Sequence, residues 1–217
     1  MNLLPQIMQG LQALNYPFAA TEKTLAELIE RYLLLIDKWN KVHNLTAIRH
    51  PQDMLYQHVM DSLAVLPYID GPQVIDVGSG AGLPGIPIAL ARPDWQVTLV
   101  ESNQKKAAFM QQVKIELALQ NINVAAKRVE EISAPKKVNI IITRAFSELG
   151  EFIALTRRWA TKENTGCRWI AMKANCSEEE LKQIHEPFEI EKVVTLTVPG
   201  LDAARQLIII KTTDLED

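Results

Sequence analysis

Four of the nine glycines in this chain of 217 residues lie within the eight residues from Gly78 to Gly85. They follow an apolar run at residues 74–77, which has the length and composition of a buried strand, and a helical pattern comes after them. A glycine-rich loop between a strand and a helix brings the backbone close to a nucleotide-like ligand at the helix N-terminus. The sequence therefore predicts an α/β protein with a ligand site at the end of this strand.

Short apolar runs alternate with helical patterns from residue 73 onward. Helices predicted at residues 104–119 and 149–159 separate consecutive strands, which is typical of a parallel sheet covered on both faces. Two further strands, at residues 190–198 and 206–211, have no helix between them and should pair as an antiparallel hairpin. The whole pattern predicts a seven-stranded, Rossmann-like sheet, whose other strands are expected at residues 74–77, 97–100, 124–126, 140–143 and 169–172.

The first 70 residues show only helical patterns. Apolar residues recur at helical spacing over residues 25–39. The segment Thr24-Leu25-Ala26-Glu27 has the form of a capping box, which predicts that this helix begins at Thr24. A second helix is expected at about residues 51–67. We expect residues 1–70 to form an N-terminal helical cap that packs on a main domain of residues 71–217.

The composition excludes several classes of protein. Hydrophobic residues make up 47% of the chain and charged residues 23%, the balance of a globular protein rather than of a disordered or fibrous one. No apolar stretch approaches the roughly 20 residues that a membrane-spanning helix needs, and the first residues lack the pattern of a secretory signal. The two cysteines, Cys167 and Cys176, match neither a zinc site nor a redox pair. These features predict a cytoplasmic protein.

The formal net charge of -3 is unevenly distributed along the chain. Residues 1–102 carry a net charge of -4, residues 103–173 carry +7, and residues 174–217 carry -6. A basic middle segment between acidic flanks can form a surface that attracts phosphates. Solvated lysines on exposed helix faces would account for the same charges, so the charge pattern alone leaves both interpretations open.

The glycine loop fits two ligands. From Gly80 it has the GxGxxG spacing of a dinucleotide site, and from Asp76 it has the DxGxGxG spacing that suits S-adenosylmethionine. The Asp76 carboxylate would repel a pyrophosphate, whereas it can serve the cationic methionine end of S-adenosylmethionine directly or through water. We therefore predict S-adenosylmethionine as the cofactor, with loop contacts at Asp76, Gly78, Ser79 and Gly80. An NAD-dependent oxidoreductase is the alternative.

Two further segments complete the predicted cofactor site. Glu101 ends the second strand 23 residues after Gly78, close to the spacing of about 20 residues expected for a carboxylate that binds the ribose. The loop after the third strand would bring Val129 and Glu130 to the adenine in this type of fold. An ordinary helix start is the alternative role for each of these acids.

The end of the fourth strand, Thr143-Arg144-Ala145-Phe146, indicates the type of methyl acceptor. It lacks the Asn/Asp-Pro-Pro-aromatic segment used for exocyclic amino groups, and neither cysteine lies in the nucleophile loop that pyrimidine C5 would need. Guanine N7 fits, since its in-plane lone pair carries no proton and alignment is the main requirement. Arg144 is the candidate catalytic residue, donating to guanine O6, and Phe146 could stack on the base. The alternatives are an ion pair or cofactor contact for Arg144 and core packing for Phe146.

Three motifs indicate a resemblance to a known protein family: His-Val-Met-Asp-Ser at residues 58–62, Leu-Pro-Gly-Ile-Pro at residues 83–87, and residues 143–146. The resemblance extends over nearly the whole chain. In these motifs the chain resembles the RsmG (GidB) family of bacterial small-subunit ribosomal RNA methyltransferases. The resemblance implies that residues 71–217 form a class I methyltransferase domain, which transfers a methyl group from S-adenosylmethionine to N7 of a guanine in the 530 loop of 16S ribosomal RNA, without a metal. It also implies cofactor contacts at Gly78, Leu83, Val129, Glu130 and Arg144.

An RNA substrate requires an RNA-binding surface. The candidate contacts are basic residues near the predicted site and one aromatic residue: Lys105, Lys106, Arg128, Phe146, Lys173 and Arg205. The partner would be 16S ribosomal RNA or the small ribosomal subunit, bound by a monomer. A non-catalytic RNA-binding module that holds S-adenosylmethionine only as a ligand is a further alternative. His58 and Asp61, three residues apart on one helix, are expected to share a local hydrogen bond.

Overall fold

The structure, a computed structural model, describes residues 3–144 and 148–213. Its seven strands form one sheet in the order β3-β2-β1-β4-β5-β7-β6. Strands β1 to β5 run parallel, whereas β7 pairs antiparallel with β5 and β6. The predicted α/β class and the C-terminal antiparallel hairpin are confirmed. The strands are β1 (Gln73–Val77), β2 (Gln96–Val100), β3 (Ile122–Ala125), β4 (Ile140–Arg144), β5 (Arg168–Lys173), β6 (Phe188–Thr195) and β7 (Gln206–Thr212).

Helices precede the sheet and connect its parallel strands. In the described ranges these are α1 (Leu4–Leu14), α2 (Glu22–His43), α3 (Pro51–Met54), α4 (Asp61–Leu63), α5 (Gly85–Ala91), α6 (Gln104–Glu116), α7 (Leu149–Thr156) and α8 (Glu178–Leu181). A π-helical segment, Leu55–Met60, joins α3 to α4, so that residues 51–63 form one continuous helix. This helix matters for the site, because it carries His58 and Asp61.

Several predicted boundaries were wrong by a few residues. Helix α2 begins at Glu22, because Thr21 caps it: the Thr24 amide donates to Thr21 Oγ1 at 3.3 Å. The predicted capping box at Thr24 therefore lies inside the helix. Helix α6 ends at Glu116, since Ala118 adopts a left-handed conformation with φ of 53°. Helix α7 ends at Thr156 and continues only as a 3-10 turn, Arg157–Trp159. The first hairpin strand, β6, lies at residues 188–195 rather than 190–198.

Helices cover both faces of the sheet, each over its own apolar core. Because side chains alternate along a strand, Ile140 and Ile142 face one core and Ile141 faces the other. The first core also contains the buried faces of α1, α2, α5, α6 and the helix at residues 51–63. The N-terminal helices thus share their apolar core with one face of the sheet. The division into two domains at residue 70 stays a prediction.

Candidate active site

The glycine loop follows β1 and turns across the end of β2. Gly78, Gly80 and Gly82 have φ values of 72°, 60° and 88°, which residues with a Cβ rarely adopt. The amides of Gly78 and Ser79 both donate to the Val100 carbonyl, at 2.9 and 3.1 Å. The loop therefore keeps its backbone near the carboxyl ends of two neighbouring parallel strands, where α/β proteins place ligands.

Glu101 connects this loop to helix α6. Its side chain is buried; Oε2 accepts a hydrogen bond from the Gly80 amide at 2.9 Å and Oε1 accepts one from the Asn103 amide at 2.8 Å. Two backbone donors thus orient this carboxylate, which leaves its remaining lone pairs for hydroxyl groups of a ligand.

Glu101 lines a cavity of about 220 Å³, which we call the glycine-loop cavity. Four predicted cofactor residues come together there: Gly78, Glu101, Val129 and Glu130. They arrive from the ends of β1 and β2 and from the 3-10 turn Val129–Glu131 after β3. The spacing of these residues along the chain had predicted this juxtaposition, and the topology of the sheet produces it.

Asp76 lies behind the glycine loop and does not line the glycine-loop cavity. It is completely buried on β1, and its Oδ2 accepts a hydrogen bond from the Gly85 amide at 2.9 Å, at the N-terminus of α5. A Cβ on Gly85 would lie 2.8 Å from this oxygen, so only glycine permits the approach. The other oxygen, Oδ1, is buried without a hydrogen-bond partner among the described residues. Burial raises the pKa of Asp76 to about 7.

Two more predicted cofactor residues are buried in the loop itself. Ser79 Oγ donates to the Asp76 carbonyl at 2.9 Å, and the Leu83 amide donates to the Ser79 carbonyl at 2.8 Å. Neither of these side chains lines the glycine-loop cavity. Ser79 and Leu83, and Asp76 through its Oδ2, therefore shape the loop from within, a structural role that the sequence interpretation did not assign to them.

Tyr32 supports the same loop from the N-terminal helices. Its side chain is completely buried on α2, and its hydroxyl donates to the Ala81 carbonyl at 2.7 Å. Ala81 lies between Gly80 and Gly82, so this bond constrains the loop at its tip. Sequence reasoning counted Tyr32 only as part of an apolar stripe. The available signal was the hydroxyl group, since a buried tyrosine usually requires a hydrogen-bond partner.

We predict that Tyr32→Phe weakens the binding of S-adenosylmethionine, the cofactor expected from the sequence, by about fivefold or more. The substitution keeps the ring but leaves the Ala81 carbonyl unpaired. This destabilises the folded conformation of the loop by about 1–3 kcal/mol. Isothermal titration calorimetry measures the affinity, and thermal unfolding measures the stability.

Thr156→Val is the matched control for this prediction. It removes a buried hydroxyl on the other side of the sheet, where Thr156 Oγ1 accepts from Trp169 Nε1 at 2.9 Å. The control should lower the unfolding temperature without changing the cofactor affinity. An unchanged affinity in Tyr32→Phe would contradict a role for Tyr32 in the loop.

A second cavity, of about 350 Å³, lies at the ends of β4 and β5, and we call it the arginine cavity. Residues from distant parts of the chain line it, among them His58, Asp61, Arg144, Lys173 and Arg205. Arg144 ends β4, Lys173 ends β5, and Arg205 immediately precedes β7. Three basic side chains and one carboxylate thus surround one opening.

Arg144 is held on several sides. Its Nη1 donates to the Gln57 carbonyl at 3.0 Å and lies 3.4 Å from Asp61 Oδ2, while Nη1 and Nη2 both lie 3.4 Å from His58 Nδ1. Asp61 Oδ1 accepts a hydrogen bond from Arg205 Nε at 3.0 Å, so that one carboxylate bridges two guanidinium groups. The geometry fixes the plane of the Arg144 guanidinium.

The expected local hydrogen bond between His58 and Asp61 is not formed among the described residues. Each of the two side chains meets Arg144 instead. Burial and the Arg144 charge lower the pKa of His58 to about 4, so its ring is neutral at pH 7. Burial raises the pKa of Asp61, and the charges of Arg144 and Arg205 oppose this shift. Sequence reasoning missed this cluster because Arg144 lies 83 residues from Asp61 along the chain.

The described candidates for RNA binding fall into two groups along the chain's site. Lys173 is only 9% exposed and forms an ion pair with Glu180 at 2.5 Å, and Arg205 is bound to Asp61, so both belong to the arginine cavity. Lys173 therefore contributes little exposed charge, and its contact with RNA stays a prediction. The exposed residue Arg128 lines the glycine-loop cavity, and Lys105 and Lys106 lie at the start of α6. Phe146 lies outside the described residues.

Residues 3–144 and 148–213 show neither a metal cluster nor a membrane-spanning helix. No group of three or more histidine, cysteine, aspartate or glutamate side chains is arranged there to hold a metal ion. None of the helices in these ranges has the length and hydropathy needed to cross a bilayer.

Known structures with a similar fold include a SAM-dependent methyltransferase from Aquifex aeolicus, with a TM-score of 0.52 and 16% identity, which covers 73% of this chain and 92% of its own. Another is a mutant of MtNAS in complex with S-adenosylmethionine, with a TM-score of 0.55 and 16% identity over 98% of this chain and 90% of its own. At these identities the likeness establishes the fold alone. It agrees with the predicted Rossmann-like α/β fold.

Sequence comparison identifies closer relatives. "Ribosomal RNA small subunit methyltransferase G" of Nitrosomonas europaea is 50% identical over 211 residues, which cover 97% of this chain and 98% of the relative. The protein of the same name from Laribacter hongkongensis is 44% identical over 208 residues, covering 96% of this chain and 98% of the relative. A sequence profile described as "rRNA small subunit methyltransferase G" matches residues 25–209. These matches confirm the resemblance noted in the motifs, and the chain belongs to the rRNA small subunit methyltransferase G family.

Proposed function

We propose that this protein transfers a methyl group from S-adenosylmethionine to N7 of a guanine in the 530 loop of 16S ribosomal RNA. The observation that carries the proposal is the position of Arg144 beside the glycine loop. Strands β1 and β4 are neighbours, and Thr143 Oγ1 donates to the Val77 carbonyl at 2.8 Å, which ties their carboxyl ends together. A cofactor bound at the end of β1 would therefore lie next to an acceptor bound at the end of β4.

The residues of the glycine loop fit S-adenosylmethionine. Glu101 offers an oriented carboxylate for the ribose hydroxyls, and Val129 and Glu130 line the same cavity for the adenine. The unpartnered oxygen of Asp76 supplies negative charge for a cationic amino-acid end. The cofactor, when bound, supplies an electrophilic methyl group on a sulfonium. An NAD-dependent oxidoreductase is disfavoured, because the buried Asp76 charge would oppose a pyrophosphate.

The chain's own residues need only orient the acceptor base. Guanine N7 carries no proton, so no general base is required, and alignment governs the rate. Arg144 is already held by Gln57 and Asp61, and its remaining N–H groups can donate to guanine O6 without occupying N7. We propose Arg144 as the catalytic residue in this sense.

The partner and the compartment follow from the same proposal. The names of the relatives specify small-subunit ribosomal RNA, so we propose 16S ribosomal RNA or the small subunit as the partner, the cytoplasm as the location, and a monomer as the active form. Arg128, Lys105, Lys106 and Arg205 are the proposed RNA contacts, with Lys173 acting inside the arginine cavity.

A single-turnover assay tests the proposed function. Labelled S-adenosylmethionine is mixed with the protein and with either unmodified small subunits or protein-free 16S ribosomal RNA, and the modified position is mapped. We expect label at N7 of one guanine in the 530 loop. Binding of both partners without transfer would favour the non-catalytic module, and retention of NAD in equilibrium dialysis would favour the oxidoreductase.

We predict that RNA affinity depends strongly on salt despite the net charge of -3. Each neutralised phosphate contributes about 0.7–0.9 to the slope of log affinity against log salt concentration. A double variant, Lys105→Ala with Lys106→Ala, should reduce this slope by about 1–2. The control is Lys211→Ala, at the opposite end of the sheet, where Lys211 pairs with Glu189. A flat salt dependence in the parent protein would contradict the proposed basic surface.

A further inference from the structure

A line of buried polar contacts runs from helix α2 to the arginine cavity. Asn40 is 3% exposed; its Oδ1 accepts from the Thr46 amide at 3.0 Å, and its Nδ2 donates to the Ile48 carbonyl at 3.1 Å. This amide thereby fixes the loop that follows α2. Buried amides with satisfied hydrogen bonds hold loops in one conformation.

The loop in turn positions a histidine. Thr46 Oγ1 accepts from the Ile48 amide at 3.2 Å and lies 2.8 Å from His58 Nε2. His58 is 6% exposed, and its other ring nitrogen, Nδ1, lies 3.4 Å from both terminal nitrogens of Arg144. The imidazole therefore stands between a fixed hydroxyl and the guanidinium.

The chemistry of the two partners selects one tautomer. A guanidinium can only donate, so a hydrogen bond from Arg144 to Nδ1 requires a lone pair on Nδ1 and places the ring proton on Nε2. The Nε2–H then donates to Thr46 Oγ1. A second proton on the ring would place two cations side by side in a buried site, and the neutral ring is favoured for that reason. The opposite tautomer would direct Nδ1–H at the Gln57 carbonyl, 3.1 Å away.

We propose that His58 is a positioning residue for methyl transfer: through the Nδ1 lone pair, it sets the orientation of the Arg144 guanidinium that faces the acceptor base. This inference rests on the proposed function for its kinetic consequence, but not for its geometry. The contacts from Asn40 to Thr46 and from Thr46 to His58 connect a loop and a helix of the N-terminal segment to Arg144 at the end of β4.

Two neutral substitutions of His58 distinguish the roles of its two ring nitrogens. In His58→Asn the side-chain amide takes the place of Nδ1 and can still accept from Arg144, whereas in His58→Gln the amide takes the place of Nε2 and reaches only Thr46. We expect the single-turnover rate at saturating RNA and cofactor to fall about tenfold further in His58→Gln than in His58→Asn. The KM values for both substrates should remain within about threefold of the parent values. His185→Gln, at an exposed histidine in the loop before β6, is the control and should keep the parent rate.

If His58 served only in packing, both substitutions would lower the stability and would reduce the rate in proportion to the folded fraction. Equal rates in the two variants would therefore overturn the proposal. A rise in the KM for RNA with unchanged turnover would overturn it as well, because His58 would then bind the substrate directly.

The tautomer of the His58 ring can be measured without any methyl transfer. Long-range proton–nitrogen correlation spectra of the folded protein, assigned with His58→Gln, report which ring nitrogen carries the proton. We expect Nε2–H, and the Nδ1–H tautomer would overturn the proposal. If the parent protein methylates no RNA, the proposed function fails, while the tautomer still decides whether His58 accepts from Arg144.

Discussion

Arg144→Lys is expected to lower the single-turnover rate of methyl transfer about a hundredfold, with RNA affinity within about threefold of the parent value. Arg144 contacts the Gln57 carbonyl, Asp61 and His58 through two nitrogens of one planar group. A lysine keeps the charge but lacks the planar fork, so it cannot hold these partners and guanine O6 in one geometry. A displacement of about 1 Å at a reacting group can cost roughly a hundredfold in rate.

The rate is measured at saturating RNA and saturating cofactor, beside an RNA-binding curve at the same salt concentration. Arg157→Lys, at an exposed arginine after α7, is the control and should react at the parent rate. Methylation by Arg144→Lys at the parent rate would mean that Arg144 acts only as a charge. A loss of RNA affinity equal to the loss of rate would assign it to substrate binding instead.

Asp76→Asn is expected to weaken S-adenosylmethionine binding by about tenfold or more and to raise the stability of the cofactor-free protein at pH 8. The asparagine carbonyl can still accept from the Gly85 amide, but the charge for the cationic end of the cofactor is lost, a contribution of about 1.5–3 kcal/mol. The stability gain follows from burial, which raises the pKa of Asp76 from its ordinary value of 3.8 to about 7.

The sign of the stability effect follows from proton binding. Between about pH 4 and pH 7 the folded protein holds the Asp76 proton and the unfolded chain does not, so the stability of the parent falls as the pH rises through this range. Asparagine removes this dependence, and the difference between variant and parent should grow from pH 5 to pH 8. Thermal unfolding at several pH values measures it.

Cofactor binding should show the opposite trend in the parent, because a cation prefers the ionised carboxylate. Affinity should decrease as the pH falls below about 7 in the parent and remain flat in Asp76→Asn. Asp94→Asn, at an exposed residue paired with Arg92, is the control and should bind the cofactor as the parent does. A pH-independent affinity in the parent would contradict a charged role for Asp76.

Local patterns were enough to predict most of the sheet and four residues that the structure brings together at the glycine-loop cavity. The strands and the hairpin follow from apolar periodicity, which is a property of neighbouring residues. Gly78 and Glu101 directly follow β1 and β2, and Val129 and Glu130 follow β3 after a short loop. The carboxyl ends of parallel strands meet at one edge, so these four residues could be expected to come together there, and their contacts with a cofactor stay a prediction. The error at the start of α2 arose because Thr21 and Thr24 offer the same capping chemistry.

The sequence by itself determined the α/β class, the cofactor loop and the family, because these depend on short segments whose spacing is visible along the chain. Only the tertiary structure decided what surrounds Arg144. Its contacts with His58 and Asp61 join residues 86 and 83 positions apart, and the bond from Tyr32 to Ala81 spans 49. Such pairs follow no local periodicity, because they depend on how the N-terminal helices and the sheet pack their apolar faces against each other. The burial that brings these polar groups together also shifts the pKa values of His58 and Asp76.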